Sequence, residues 1–350
     1  MLPDAERFRR LVDGRLSGPL PALARAGLSL AEAPYGLAVG LRNWAYDRQI
    51  LAIDRADVPV VSVGNLTLGG TGKTPLVAWL ARHLLTKGWQ PAIVSRGYGA
   101  SHGQRSDEAA ELGRLVPTVS HHADPRRIRA ARAAIEAGAT ILILDDGFQH
   151  RRLDRDLDLI VIDATDPFGC NRLFPRGLLR EPLRGLQRAD AVILSRCDQV
   201  SAETRQQIYR RSCQLLKGRP LPWFETSHQP IQLRLADGTT AGLETLAHQP
   251  VFGFAGIGNP EAFRKTLTEL GGTVVGFTAY ADHHPYNETD VADLARLART
   301  AGAAYAVTTL KDLVKIPQQD LGGIPLAAIE IGMAFHSETK SLEELLAALG

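Results

Sequence analysis

Residues 58–88 read VPVVSVGNLTLGGTGKTPLVAWLARHLLTKG. A short β-branched run, VPVVSVG, gives way to a glycine loop, and then to a segment whose apolar residues recur at helical spacing. A strand that feeds a glycine loop and then a helix makes a phosphate cradle, because loop N–H groups and the helix's amino-terminal dipole both favour anions. In the pattern G-x-x-x-x-G-K-[ST] the lysine reaches the terminal phosphates and the hydroxyl holds Mg2+. Lys73 and Thr74 stand in those places. The pattern asks for glycine at position 67, where the chain has Thr67, so Gly64, Gly69, Gly70 and Gly72, with Thr71 among them, provide the loop's freedom instead. Some relatives of this loop dimerise through a lysine just before the Gly-Gly pair; Leu68 occupies that place and argues against that branch.

Outward from the loop, strand and helix patterns alternate. PAIVSRGYG (91–99), ATILILDDG (139–147), LDLIVIDA (157–164) and ADAVILSRCDQV (189–200) read as buried strands, with helices over Arg126–Ala137 and Ser201–Lys217. This predicts an α/β fold with a doubly wound, mostly parallel sheet. Prolines at 220, 222 and 230 mark a connection, followed by a hairpin with its turn at Asp237-Gly238 and a second α/β series from Pro250. The expected organisation is a helical segment over 1–50, a P-loop core over 51–220 and a smaller α/β lobe over 221–350 whose last helix returns to the core.

Composition limits the function classes. Apolar residues make up 45% and charged residues 22%, an ordinary globular balance. A formal charge of +2 gives no reason to expect a nucleic-acid partner. Cys170, Cys197 and Cys213 lack metal-ligand spacing and read as small buried hydrophobes in a reducing compartment. The opening MLPDAERFRR has no apolar core of a signal peptide. In LPALARAGLSLAEAPYGLAVGL (20–41), Pro21, Arg25, Glu32 and Pro34 interrupt what would otherwise be a bilayer span. With Arg42, Trp44, Tyr46 and Arg48 behind it, the segment is either an interfacial helix or a helical hairpin packed on the core.

Four further stretches offer chemistry. In ILILDDGFQH (141–150), Asp145 and Asp146 end a strand where a P-loop protein needs a carboxylate near Mg2+; neighbours in an extended segment point apart, so one serves the metal and the other orients a neighbour. In SRGYG (95–99), Ser95 and Arg96 are candidate metal-side and phosphate contacts. Asp107-Glu108 is either a solvated helix start or the source of a base for an attacking hydroxyl. FGCNRLFPRGLLREPLRGL (168–186) carries Arg172, Arg176, Arg180 and Arg184, either a solvated run or a source of phosphate contacts. In YADHHPYN (280–287), His283 and His284 lack zinc spacing and form either a polar turn or a reach toward a catalytic acid.

In this order, GNLTLGGTGKTP, SRGYG, DDGFQHRRL, FGCNRLFPRGLLREPL and DHHPY closely resemble the tetraacyldisaccharide 4'-kinases of lipid A biosynthesis, over most of the chain. The resemblance implies transfer of the ATP γ-phosphate to the 4'-hydroxyl of a tetraacylated glucosamine disaccharide 1-phosphate, with ATP and Mg2+. It also implies action at the cytoplasmic face of the inner membrane, by a peripheral or monotopic protein, and no obligate protein partner is expected. Position by position it implies Lys73 and Thr74 as phosphate and metal contacts, Asp107 as catalytic base and His284, or else His283, as its partner. Asp145, Asp146, Gln149 and His150 then match the DDGxQH segment, and Arg180 and Glu181 its arginine and acid, giving Asp145, Glu181 and Thr74 to the metal and Asp146 and Arg180 to catalysis. Where that family has Gly-Asp-Glu this chain has Ser106-Asp107-Glu108. Two other classes compete: a GTPase or ATPase switch or metal-insertion accessory, with Ser195-Arg196-Cys197-Asp198 as a degenerate guanine reader, and a nucleotide-regulated membrane-binding module.

Overall fold

The structure, a computed structural model, describes residues 5–97, 107–282 and 284–350. In chain order the first elements are α1 (Ala5–Val12), α2 (Pro19–Asp47), β1 (Val60–Gly64), α3 (Lys73–Thr86), β2 (Pro91–Ser95), α4 (Asp107–Leu115), β3 (Ser120–Ala123), α5 (Arg127–Glu136), β4 (Ile141–Asp145), β5 (Leu157–Asp163), β6 (Ala191–Ser195) and α6 (Ala202–Leu215). There follow β7 (Trp223–Leu235), β8 (Thr240–Ala241), β9 (Pro250–Ala255), α7 (Pro260–Glu269), β10 (Thr273–Ala279), α8 (Glu288–Thr300), β11 (Tyr305–Thr309), α9 (Leu310–Leu313), β12 (Leu326–Phe335) and α10 (Lys340–Ala347).

The chain forms two compact units: 1–97, 118–228 and 333–350 in one, 98–117 and 229–332 in the other. It passes between them within β7 and again within β12. The main division thus falls eight residues beyond the expected 220, since one continuous strand runs through the proline-marked connection. The described residues 107–117, expected in the core, group with the smaller unit, and α10 lies in the first.

In the first unit the strands run in the order β7-β6-β5-β1-β4-β2-β3, and each neighbouring pair is parallel. Strands β1, β2, β4, β5 and β6 are buried along their whole length, which explains their continuous rather than alternating apolar pattern. One cluster joins Val60, Val94, Leu142 and Leu144 to Ala130, Ala131 and Ala134 of α5, whose small side chains let that helix lie close. Another joins Ile160, Ile162, Val192 and Leu194 to Phe148, Leu179, Leu186 and Ile208. Each such buried Val, Leu, Ile or Phe side chain contributes roughly 1.5–3 kcal/mol.

The apolar stretch 20–41 lies within one long helix, α2, with Pro34 inside it, and α1 precedes it. Its docked residues follow helical spacing: Glu32 accepts from Leu173 N at 2.8 Å, the Tyr35 hydroxyl donates to Arg180 O at 2.8 Å, and Val39 and Asn43 are buried. Leu20, Leu23, Leu30, Leu37, Leu41 and Trp44 are exposed. At about 100° per residue they fall on the face opposite the docked one. No helix among the described residues is long and apolar enough to cross a membrane.

In the second unit the order is β10-β9-β11-β12-β7, with β8 folding back on β7. The expected hairpin is present: Leu233 and Arg234 pair antiparallel with Ala241 and Thr240. Leu233, Val251, Phe263, Leu267, Val307 and Ile329 form its core.

Candidate active site

The phosphate loop leaves β1 at Gly64, where a Cβ would lie 2.5 Å from that of Phe148 and 2.7 Å from its backbone nitrogen. Asn65, fully buried, turns the chain by donating from Nδ2 to Thr67 O at 2.8 Å. Gly69 has φ 110°, a left-handed conformation that glycine adopts at no steric cost, and a Cβ on Gly70 would meet nothing within 4 Å. Gly72 caps α3 with φ 87°, and a Cβ there would collide with the ring of His228, 2.4 Å from Nε2. The end of β6 fixes the loop's far side: Ser195 Oγ donates to Thr71 O at 2.8 Å and Arg196 to Gly70 O at 2.8 Å, while Arg196 also pairs with Asp163. Ser195 and Arg196, which the switch reading offered as part of a base reader, therefore hold the phosphate loop.

Helix α3 opens on Lys73 and Thr74. Lys73 Nζ lies 3.2 Å from Asp146 Oδ1 and 3.4 Å from Asn65 Oδ1. β4 lies beside β1 with Asp145 opposite Val63, so the paired acids emerge next to the loop. Asp145 is buried at the strand's end, whereas Asp146 leaves the strand with φ 51°. Its Oδ2 accepts from Arg180 at 2.7 Å and its backbone carbonyl from Arg127 at 2.9 Å. Burial alone would raise the Asp146 pKa, but Lys73 and Arg180 reverse this and hold it down at about 2. His150, beside Arg127, Arg155, Arg96 and Arg152, is pushed down to about 4, by burial first and those charges second.

Gln149 bonds to Asn65 O at 2.7 Å and to Glu181 Oε1 at 3.1 Å, and its own Oε1 lies 3.5 Å from Arg180. Glu181 differs from expectation. It is fully buried, and its oxygens accept from Asn43 (3.0 Å), Gln149 and Arg188 (3.0 Å), so protein donors fill the places a metal would take. The arginine run divides by role: Arg172 pairs with Glu32 and Arg176 donates to Val12 O, both toward the amino-terminal helices, and Arg180 turns to Asp146. Ser95 faces His121 at 2.9 Å, and of the three cysteines only Cys197 is fully buried.

The second unit holds the other candidates. Asp107 opens α4, with Lys315 Nζ 3.4 Å from its Oδ2. The His284 ring stacks on Tyr280 and its Nε2 lies 2.9 Å from Asp290 Oδ2, not on Asp107. The cause is local: Asp290 completes the capping box of α8 with Asn287, and this brings its carboxylate to the turn. His283, Ser106 and the Tyr98-Gly99 end of SRGYG lie outside the described residues. Asn43, Asn65, Arg127, Arg188 and His228 were absent from the sequence-based candidates, and only Asn65, inside the loop, carried a positional signal.

The sequence profile of the family described as tetraacyldisaccharide-1-P 4'-kinase matches residues 24–350. The chain belongs to the tetraacyldisaccharide 4'-kinase family. It is 43% identical over 317 residues to a tetraacyldisaccharide 4'-kinase of Anaeromyxobacter sp. (strain K), covering 85% of this chain and 83% of the relative. To that of Syntrophus aciditrophicus (strain SB) it is 41% identical over 337 residues, 89% of each. A solved structure, an "apo" form LpxK from Aquifex aeolicus in complex with ATP, superposes with a TM-score of 0.73 at 30% identity, covering 93% of this chain and 99% of that one. Like its relatives, this tetraacyldisaccharide 4'-kinase family member is a phosphotransferase, with the P-loop α/β fold that the loop and its flanking strands predict.

Proposed function

We propose that the chain transfers the γ-phosphate of ATP to the 4'-hydroxyl of a tetraacylated glucosamine disaccharide 1-phosphate, a lipid A precursor. The observation that carries the reading is the convergence of Lys73 and Arg180 on one carboxylate at the amino end of α3, in a chain of this family. The two oxygens of Asp146 keep both cations aimed at one anion position, so a triphosphate arriving over Gly69–Thr74 meets charges already in place. Thr74 and Asp145 would hold Mg2+. A hydroxyl and a carboxylate are hard oxygen donors, the small protein set this ion takes when phosphates and water complete its shell. Bound there, it would screen charge on the transferring group.

Glu181 serves in this reading as a buried anchor for Gln149 and Arg188, and Gln149 steadies Asn65 and Arg180. Asp107 takes the proton of the sugar hydroxyl as its oxygen attacks the γ-phosphorus and ADP departs, with His284 on the same unit. The exposed leucines and Trp44 of α2 suit a lipid surface, which puts the protein peripherally on the cytoplasmic face of the inner membrane, where an acylated acceptor resides.

The test incubates purified protein with γ-labelled ATP and the tetraacyl disaccharide 1-phosphate. The wild type labels the lipid, and Lys73→Ala, folded by circular dichroism, transfers at least about 10²-fold more slowly. Hydrolysis without labelled lipid, or near-normal turnover by the variant, ends the reading.

A further inference from the structure

The second unit contains a buried lysine–aspartate pair to which these roles give no task. Lys315, two residues past α9, has a side chain only 10% exposed. Lysine stems ordinarily carry their ammonium to water, so burial of this one requires compensation. Its Nζ lies 3.6 Å from Asp312 Oδ1, 3.4 Å from Asp107 Oδ2 and 3.4 Å from the His284 carbonyl. An ammonium has three N–H donors, and here three acceptors surround it.

The acceptors differ in how firmly they are held. Asp312 is fully buried; its Oδ2 accepts from Gly256 N at 2.9 Å and from the Thr309 hydroxyl at 2.8 Å, so backbone fixes it. It anchors the lysine. Asp107 is 37% exposed at the start of α4, and the His284 carbonyl belongs to the turn before α8. Lys311 pairs with Asp282 at 3.0 Å, and Glu108 on α4 adds negative charge near Glu111, whose carboxyl is pushed up to about 7 by burial first and by the neighbouring acids second. Lys315 thus ties two segments bearing proposed acceptor-side groups to a third that is buried and hydrogen-bonded through Asp312.

We infer that Lys315 is a positioning residue for phosphoryl transfer, holding the Asp107 carboxylate and the His284 turn in one geometry through its ion pair with Asp312. The inference rests on the reading of Asp107 as the base. A carboxylate without this tether samples other rotamers, so fewer encounters with a bound hydroxyl are productive and kcat falls while nucleotide affinity does not.

The experiment measures kcat and KM for ATP and for the lipid acceptor in Asp107→Asn, in the double variant Asp312→Asn/Lys315→Met, and in the three combined. The double variant removes both charges of the Asp312–Lys315 pair together, so neither is left buried without the other; Lys315→Gln, judged by the same criteria, replaces it if its thermal midpoint shows unfolding. Lys315 removal should lower kcat about 10- to 100-fold, with KM for ATP within about twofold. The combined variant should be no slower than Asp107→Asn, because both contacts of the tether serve that carboxylate, directly or through its proposed partner His284. A kcat within about threefold of wild type, or losses that multiply in the combined variant, overturns the positioning role. Near-normal turnover of Asp107→Asn overturns the base reading itself, and the inference with it.

Discussion

Single residues in the first unit are set by neighbours far off in sequence, and their pH behaviour follows. His150 stays neutral in the fold because burial and four arginines push its pKa to about 4. The unfolded chain takes up that proton near pH 6.5, so the folded state is fully favoured above 6.5 and loses this contribution as pH falls from 6.5 through 4. His228 shifts the same way. Urea unfolding of His150→Gln should therefore show a flatter decline between pH 7 and 4.5, the difference being about 1–2 kcal/mol after solvent screening; parallel curves would contradict it. Gly72→Ala combines a left-handed φ with a collision against His228, and should abolish nucleotide binding in a titration while the protein stays folded. The sequence exposed Lys73, Asp146 and Arg180 because each sits in a compact motif. It concealed Asn43, Arg127 and Arg188 because only the folded chain brings them to Asp146 and Glu181, and their residue types are ordinary on any surface.

Among the elements, α2 shows most clearly how one pattern served two faces. The sequence exposed its apolar stretch but left its docking open, since Glu32, Tyr35 and Asn43 have no visible partner until Leu173, Arg180 and Glu181 are placed beside them. On the proposed membrane role, Leu30→Asp/Leu37→Asp should lower binding to anionic vesicles at least about tenfold with no change in thermal midpoint, because these side chains are exposed and would meet lipid rather than the core. A fall in midpoint with binding intact would reverse the assignment. Asn43→Ala acts on the opposite face: it removes one donor to a fully buried carboxylate and should cost about 1–3 kcal/mol in denaturant unfolding. Strand β3, Ser-His-His-Ala, escaped the strand pattern for another reason: with only β2 beside it, it lies at the edge, and its partly exposed polar residues lack the β-branched run that marked its neighbours.

At the scale of the molecule, nucleotide should stabilise the fold by linkage: at about 100 times its dissociation constant MgATP adds about 2.7 kcal/mol, visible as a raised thermal midpoint in the wild type and absent in Lys73→Ala. An equal rise in the variant would place the nucleotide elsewhere. The sequence reading located two α/β series but not the pieces each unit exchanges, because 98–117 and 333–350 carry no composition that says which core they join. That interleaving has a bearing on how the protein is made. Residues 333–350, including α10, leave the ribosome last among these residues, yet they belong to the unit that contains α1 and α2. At bacterial rates on the order of 5–20 residues per second, roughly 15–60 s separate the emergence of the leucine-faced helix from that of the strand and helix that finish its unit. During synthesis, then, the leucine-faced helix emerges long before its unit is finished, an order that, on the proposed membrane role, would favour early capture by a lipid surface over waiting unprotected in water.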